Sequence, residues 1–156
     1  MELVIREAVS DDAEEMAVLN SYVHTLHVDA EPDVYRPIDP AVVTERMREE
    51  LTSGSVRAWL ALDDRSRPVG MVRAREVTRD ATRYGHARHF VEVDELSVAP
   101  AARRTGAGRQ LMAAAEGWAG QLGVEVRLSC RSFNDGAQRF YASLGYEPML
   151  VRYRKR

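Results

Sequence analysis

FVEVDELSVAPAARRTGAGRQLM, residues 90–112, changes character twice. Phe90 to Val98 is apolar and rich in strand-forming residues, with acids at Glu92, Asp94 and Glu95. Ala99-Pro100 stops it, and Arg103-Arg104-Thr105-Gly106-Ala107-Gly108 forms a glycine-bearing turn. An Ala/Leu/Met-rich helix follows. A strand feeding such a turn at a helix start offers main-chain amides and the positive end of a helix dipole to an anionic group.

On either side, the pattern alternates strands with amphipathic helices. Leu3-Val4-Ile5 reads as a short strand, and Ser10-Asp11-Asp12 as a helix start. Val28 to Pro40 reads as a proline-rich loop, after which Asp39-Pro40 caps a helix with apolar positions Val43, Met47 and Leu51. Val56 to Leu62 and Pro68 to Val77 are strands around a polar turn. After the quoted stretch, Leu111, Ala115, Trp118 and Leu122 share one helix face, and Gly123 stops the helix. Val124 to Ser129 is a strand, Asn134 to Leu144 a helix, and Tyr146 to Arg154 supplies strand material broken by Pro148. The order is strand, two helices, three strands, helix, strand, helix and two terminal strands. It describes one α/β domain over residues 1–156, a mixed sheet with helices on both faces. The strand–helix–strand at its centre is a right-handed crossover between parallel neighbours.

Bulk properties narrow the function classes. A net charge of −2 opposes a general nucleic-acid binder, and the basic terminal residues Arg152, Arg154, Lys155 and Arg156 read as edge protection. No apolar run reaches membrane-spanning length, and the acidic N-terminus is unlike a signal peptide. The single cysteine, Cys130, rules out an internal disulfide and suits a reducing cytosol, so the expected location is cytoplasmic. His24 and His27 lack a third convergent ligand, so no metal is expected. A dinucleotide fingerprint fails because Leu111 stands where the third glycine belongs, and no Gly-x-x-x-x-Gly-Lys word occurs.

Two words, Arg103-x-x-Gly106-x-Gly108 and Asn134-x-x-Ala137-x-x-Phe140-Tyr141 running to Leu144-Gly145-Tyr146, occur in order on matching elements. In this the chain resembles the GNAT superfamily of N-acetyltransferases along its whole length, most specifically from Glu92 to Tyr146. The resemblance implies the GNAT order β1-α1-α2-β2-β3-β4-α3-β5-α4-β6-β7, with parallel strands four and five splayed apart. It implies acetyl-coenzyme A as acyl donor, held by Leu96, Ser97 and Val98 along the pantetheine arm. Arg103, Arg104, Thr105, Gly106, Ala107, Gly108 and Arg109 would hold the pyrophosphate, with Asn134 across from the arm. Gly106 and Gly108 are expected to let the backbone approach the phosphates.

Acetyl transfer needs a deprotonated amine, a polarised thioester carbonyl and a protonated leaving thiolate. By resemblance, Tyr141 protonates the thiolate, a main-chain amide near Val98 polarises the carbonyl, and Glu92 acts as base, through water. Unbroken strand alternation puts Glu92 and Asp94 on the face of Leu96, and Glu95 on the other. Tyr22, His27, Tyr35 and Asp94 are candidates for the acceptor site. The expected activity is direct transfer to a primary amine of a small molecule, in a ternary complex. The alternatives are a protein or peptide N-acetyltransferase, or a non-catalytic acyl-coenzyme A-binding module. The family also leaves room for a homodimer.

Overall fold

The computed structural model describes residues 2–156. Five strands, β1 (Val4–Glu7), β2 (Arg57–Leu62), β3 (Pro68–Arg79), β4 (Arg88–Val98) and β5 (Glu125–Leu128), form one sheet in sequence order. The first three pairings are antiparallel and β4·β5 is parallel. The parallel pair is joined through α3 (Ala107–Leu122), the crossover the sequence pattern calls for. This is the expected mixed GNAT sheet with two strands fewer. Tyr146 to Arg156 contains no strand among the described residues, so the anticipated sixth and seventh strands do not form within one chain. Pro148 removes a ladder donor, and Met149, Leu150 and Val151 lie in solvent instead of on a sheet face.

Helices cover both faces. α1 (Ala13–Ala30) follows a single 3-10 turn over Ser10–Asp12 and takes in the first three residues, Val28 to Ala30, of the expected loop. α2 (Pro40–Ser53) starts where Asp39 Oδ1 accepts from the Ala41 amide at 2.9 Å, and it ends at left-handed Gly54. These two bury Met16, Leu19, Val43 and Met47 against Ala58, Leu60 and Met71. On the other face α3 packs Leu111, Met112, Ala115 and Ala119 on Trp59, Val72, Val91 and Val93. α4 (Asp135–Ser143) adds Phe140 and Tyr141 to that second core. Each face thus has its own apolar cluster, and the site forms where the sheet between them opens.

Candidate active site

The ladder between β4 and β5 runs from Phe90↔Glu125 to Val93↔Leu128 and stops. β4 continues for five further residues, Asp94 to Val98, paired only with β3. The other edge of that segment has no strand partner among the described residues. A buried main chain seeks hydrogen bonds, so the open edge can accept an extended ligand carrying amides.

This edge leads into the quoted turn. Pro100–Ala102 makes a 3-10 turn, Thr105 Oγ1 donates to the Ala102 carbonyl at 2.6 Å, and Arg104 and Gly106 take φ of 63° and 88°. Gly106 is the N-cap of α3 and has no side chain to cap the helix. The first-turn amides of Ala107, Gly108 and Arg109 have no partner inside a helix. With Arg103, Arg104 and Arg109 exposed around them, these free amides leave a positively polarised helix start that can accept an anion. Gly108 has a second reason to be glycine. A Cβ there would come within 3.2 Å of Phe140 Cζ and 3.9 Å of Leu96 Cδ2, so it allows α3 and α4 to close.

A bulge in β4 sets the remaining geometry. Arg73 pairs with Glu95 and Ala74 with Val93, leaving Asp94 as an extra residue. Alternation is therefore broken, and the face assignment drawn from an unbroken strand is corrected. Val91, Val93, Leu96 and Val98 lie on the α3 face. Glu92, between Val91 and Val93, points to the α1/α2 face, away from Leu96. Asp94 and Glu95 follow it there, as does Ser97, whose Oγ donates to the Leu19 carbonyl at 2.5 Å. All three acids of β4 thus occupy one face.

Their partners differ. Asp94 accepts from Arg75 Nη2 at 2.9 Å and lines a polar cleft of about 450 Å³ with Arg46, Glu50, Arg73 and Arg75. Glu95, its side chain 7% exposed, accepts from Asn20 Nδ2 at 2.8 Å. Arg73 Nε lies 3.7 Å from Glu95 and is the one buried side-chain N–H without a hydrogen bond among the described residues. Arg73 Nη1 is spent on Glu50. Burial pushes the Glu95 carboxyl up, against the opposing pull of Asn20 and Arg73. Glu92, half-buried between Arg75 and Arg127 in the register, makes no ion pair or hydrogen bond with a described side chain.

Asn134 caps α4, its Oδ1 accepting from the Ala137 amide at 3.0 Å, which leaves its NH2 group for another acceptor. Tyr141 stands edge-on between Phe140 and Tyr146, with ring centroids at 5.3 and 5.9 Å. Its hydroxyl has no hydrogen-bond partner among the described residues, and burial pushes it up to about 12. It is a protonated donor at neutral pH.

The acceptor-side candidates do not form one group. His27 stacks on Tyr35 at 5.0 Å and meets Phe133 edge-on at 5.6 Å, with Arg131 above Tyr35 at 5.7 Å. Desolvation, then His24 and Arg131, hold the His27 imidazole below its ordinary value. Tyr22 is exposed elsewhere on α1, and Asp94 belongs to the polar cleft over α2. Sequence reasoning missed Arg131 and Phe133, whose signal was their place between β5 and the Asn134 cap. It also missed Glu31, which accepts from Arg131 Nε and Nη2 at 2.7 and 2.8 Å. α1 crosses β4 at Leu19 and Asn20 and reaches the segment beyond β5 at Glu31, so it roofs the gap between the splayed strands.

The acetyltransferase (GNAT) family model matches residues 20–146, which include β4, the turn from Arg103 to Gly108, α3, β5 and α4. The chain belongs to that family. No curated protein matches it. Among solved structures it is similar to a tetramutant of the BH1408 protein from Bacillus halodurans, at 25% identity and TM-score 0.93, covering 98% of this chain and 99% of that one. Two others share the fold at 21% identity and TM-score 0.76. One is the aminoglycoside N-acetyltransferase AAC(6')-Iy in complex with coenzyme A, covering 99% of this chain and 95% of that one. The other is a transcriptional regulator from Bacillus halodurans C-125, covering 99% of each. As a GNAT N-acetyltransferase the chain uses acetyl-coenzyme A as its acyl donor.

Proposed function

We propose that this chain transfers an acetyl group from acetyl-coenzyme A directly to a primary amine of a small molecule, in a ternary complex. The observation that carries the reading is the end of the β4·β5 ladder at Val93↔Leu128, directly upstream of an uncapped helix start. Main-chain groups of Leu96, Ser97 and Val98 pair with the pantetheine arm. The amides from Gly106 to Arg109, with Arg103, Arg104 and Thr105 around them, hold the pyrophosphate. Asn134 turns its NH2 group to the arm from across the cleft.

Glu92 is the base, acting through water. Of the three acids on its face it is the one not already held by a guanidinium or an amide, so its carboxylate is free to take a proton. An open-edge amide of β4 near Val98 polarises the thioester carbonyl. Tyr141 protonates the departing thiolate, which is consistent with a hydroxyl that stays neutral and unpartnered. His27 and Tyr35, backed by Arg131 and Phe133, wall the acceptor; Tyr22 and Asp94 lie at the margin of that role. The aminoglycoside substrate class of structural relatives supports a small cationic amine. The reading includes a homodimer working in the cytoplasm.

The test is a titration with coenzyme A, then a screen of polyamines, amino acids, aminoglycosides and peptides with acetyl-coenzyme A, following free thiol. Binding at micromolar Kd and thiol release with a small amine are expected. Release with peptides alone would move the reading to a protein acetyltransferase, and binding without release to a non-catalytic module. Glu92→Gln should cut kcat about 10²-fold and abolish the acid limb of the pH profile. An unchanged profile would remove Glu92 from the base role.

A further inference from the structure

The polar cleft of about 450 Å³ between α2 and the β3·β4 pair is lined by three guanidinium groups, Arg46, Arg73 and Arg75, and by two carboxylates, Glu50 and Asp94. Val56 alone among the described lining residues is apolar, so the cleft suits a polar ligand. Both carboxylates are already held. Asp94 accepts from Arg75 Nη2 at 2.9 Å, and Glu50 accepts from Arg73 Nη1 with Arg46 Nε 3.9 Å away. The donors are not used up. Arg46 makes no hydrogen bond to a described residue, and Arg75 and Arg73 each spare most of their N–H groups. Arg73 is only 9% exposed, yet its Nε has no partner. A guanidinium only donates, and a buried donor without an acceptor is costly. Glu95, which does not line the cleft, relieves Arg73 little: it lies 3.7 Å from Nε, and burial favours its protonated form. The cleft therefore offers spare donors and a net positive charge to whatever enters it.

Its position ties it to the reaction. Arg73 and Arg75 alternate with Met71 on the face of β3 that α1 and α2 cover. Arg75 stands directly opposite Glu92, and such pairs begin roughly 4.5–5.5 Å apart at Cβ. An acceptor whose amine meets Glu92 can therefore rest its other end on Arg75, toward Arg73 and Arg46. We propose that this cleft holds a carboxylate carried by the acceptor, so that the acceptor is a zwitterion of the amino acid class. The inference rests on the acetyltransferase reading with Glu92 as base. The acceptor remains a small primary amine, and the cleft adds what else it must carry. A planar carboxylate matches the fork of a guanidinium, and its single charge matches the excess of three lining cations over two anions. A phosphate monoester would bring a larger charge against Glu50 and Asp94. An amine without an anionic group would leave the spare donors unanswered.

Thiol release from acetyl-coenzyme A is followed with the common amino acids, β-alanine and γ-aminobutyrate, each beside its carboxamide. The acid of the best pair should exceed its amide in kcat/KM by roughly tenfold or more, mainly through KM. Arg46→Gln and Arg75→Gln, both on side chains about half exposed, should each reduce that preference by weakening the acid alone. Damage to the fold or to the base would weaken acid and amide alike, so the comparison is a cycle between side chain and substrate carboxylate. Arg46→Lys should restore part of the preference by returning the charge. Amides turned over as well as their acids, or a preference that survives both glutamine variants, would overturn the cleft and leave the acetyltransferase reading standing. Where no amine turns over, the transfer reading is the one that fails. Calorimetry of the same pairs with coenzyme A present then decides the cleft by itself: tighter binding of the acid upholds it, and equal or absent binding overturns it.

Discussion

Tyr141 keeps its proton because the α3-side core, Phe140 and Tyr146 withdraw it from water, and a tyrosinate there would be poorly solvated. With a value of about 12, it remains a donor across the whole range in which the enzyme can be assayed. Tyr141→Phe should lower kcat on the order of 10²-fold with the coenzyme A Kd unchanged, the usual size of a lost general acid. Steady-state kinetics beside calorimetry decide it, and a kcat within twofold of wild type would make Tyr141 a packing residue. Glu95 is raised by burial in the same way, with an opposite consequence for its neighbours. Its folded state favours the protonated form, so its contribution to stability is present below the ordinary value of 4.5 and lost as pH rises through the raised one. Glu95→Gln keeps an acceptor for Asn20 and removes the charge. Urea unfolding should show the variant gaining on wild type between pH 4 and pH 7; parallel curves would mean that Arg73 compensates the buried carboxylate fully.

At the scale of elements, the contact between α3 and α4 is set by one missing side chain. Gly108→Val would drive branched atoms into Phe140 and Leu96, costing about 1–3 kcal/mol of stability and displacing the helix start proposed to cradle phosphate. Gly117→Ala, on the same helix with open space around it, should instead stabilise by roughly 0.5–1 kcal/mol and leave coenzyme binding alone. Thermal unfolding with coenzyme A titration separates the two; equal affinities would detach the cradle from helix packing. Helix starts, the order of elements up to α4 and the glycine turn before α3 were legible in sequence because caps, glycines and periodicity are local signals. The bulge at Asp94 was not, since an inserted residue shows only against its partner strand. It moved Glu92 off the face of Leu96 and brought Glu95 over to join it. Arg131 and Phe133 were illegible for a related reason. They meet His27 and Tyr35 through a contact spanning about a hundred residues of chain, as the Arg131–Glu31 separation of 100 shows.

Across the whole molecule, the roof over the cleft is a chain of charges that begins in the tail. Glu31, at the end of α1, accepts from Arg131 beyond β5 and from Arg154 in the tail, and these cations hold its carboxyl below the usual range, Arg131 foremost. The wall of His27 and Tyr35 lies between those anchor points. Nothing in this chain of contacts touches the turn from Arg103 to Arg109. Loosening it should therefore disturb the amine and spare the coenzyme. Glu31→Gln retains the side-chain length but removes the negative charge and leaves one acceptor oxygen where the carboxylate takes three guanidinium contacts. It should lower kcat/KM for the amine on the order of tenfold, mainly through KM, with coenzyme A affinity within twofold of wild type. Raising the salt concentration should weaken the wild type toward the variant, because part of the contact is exposed. Equal loss of coenzyme affinity would mean that α1 supports the whole cleft instead of its acceptor half. A variant indistinguishable from wild type would place the amine outside the wall of His27 and Tyr35, toward the polar cleft at Asp94.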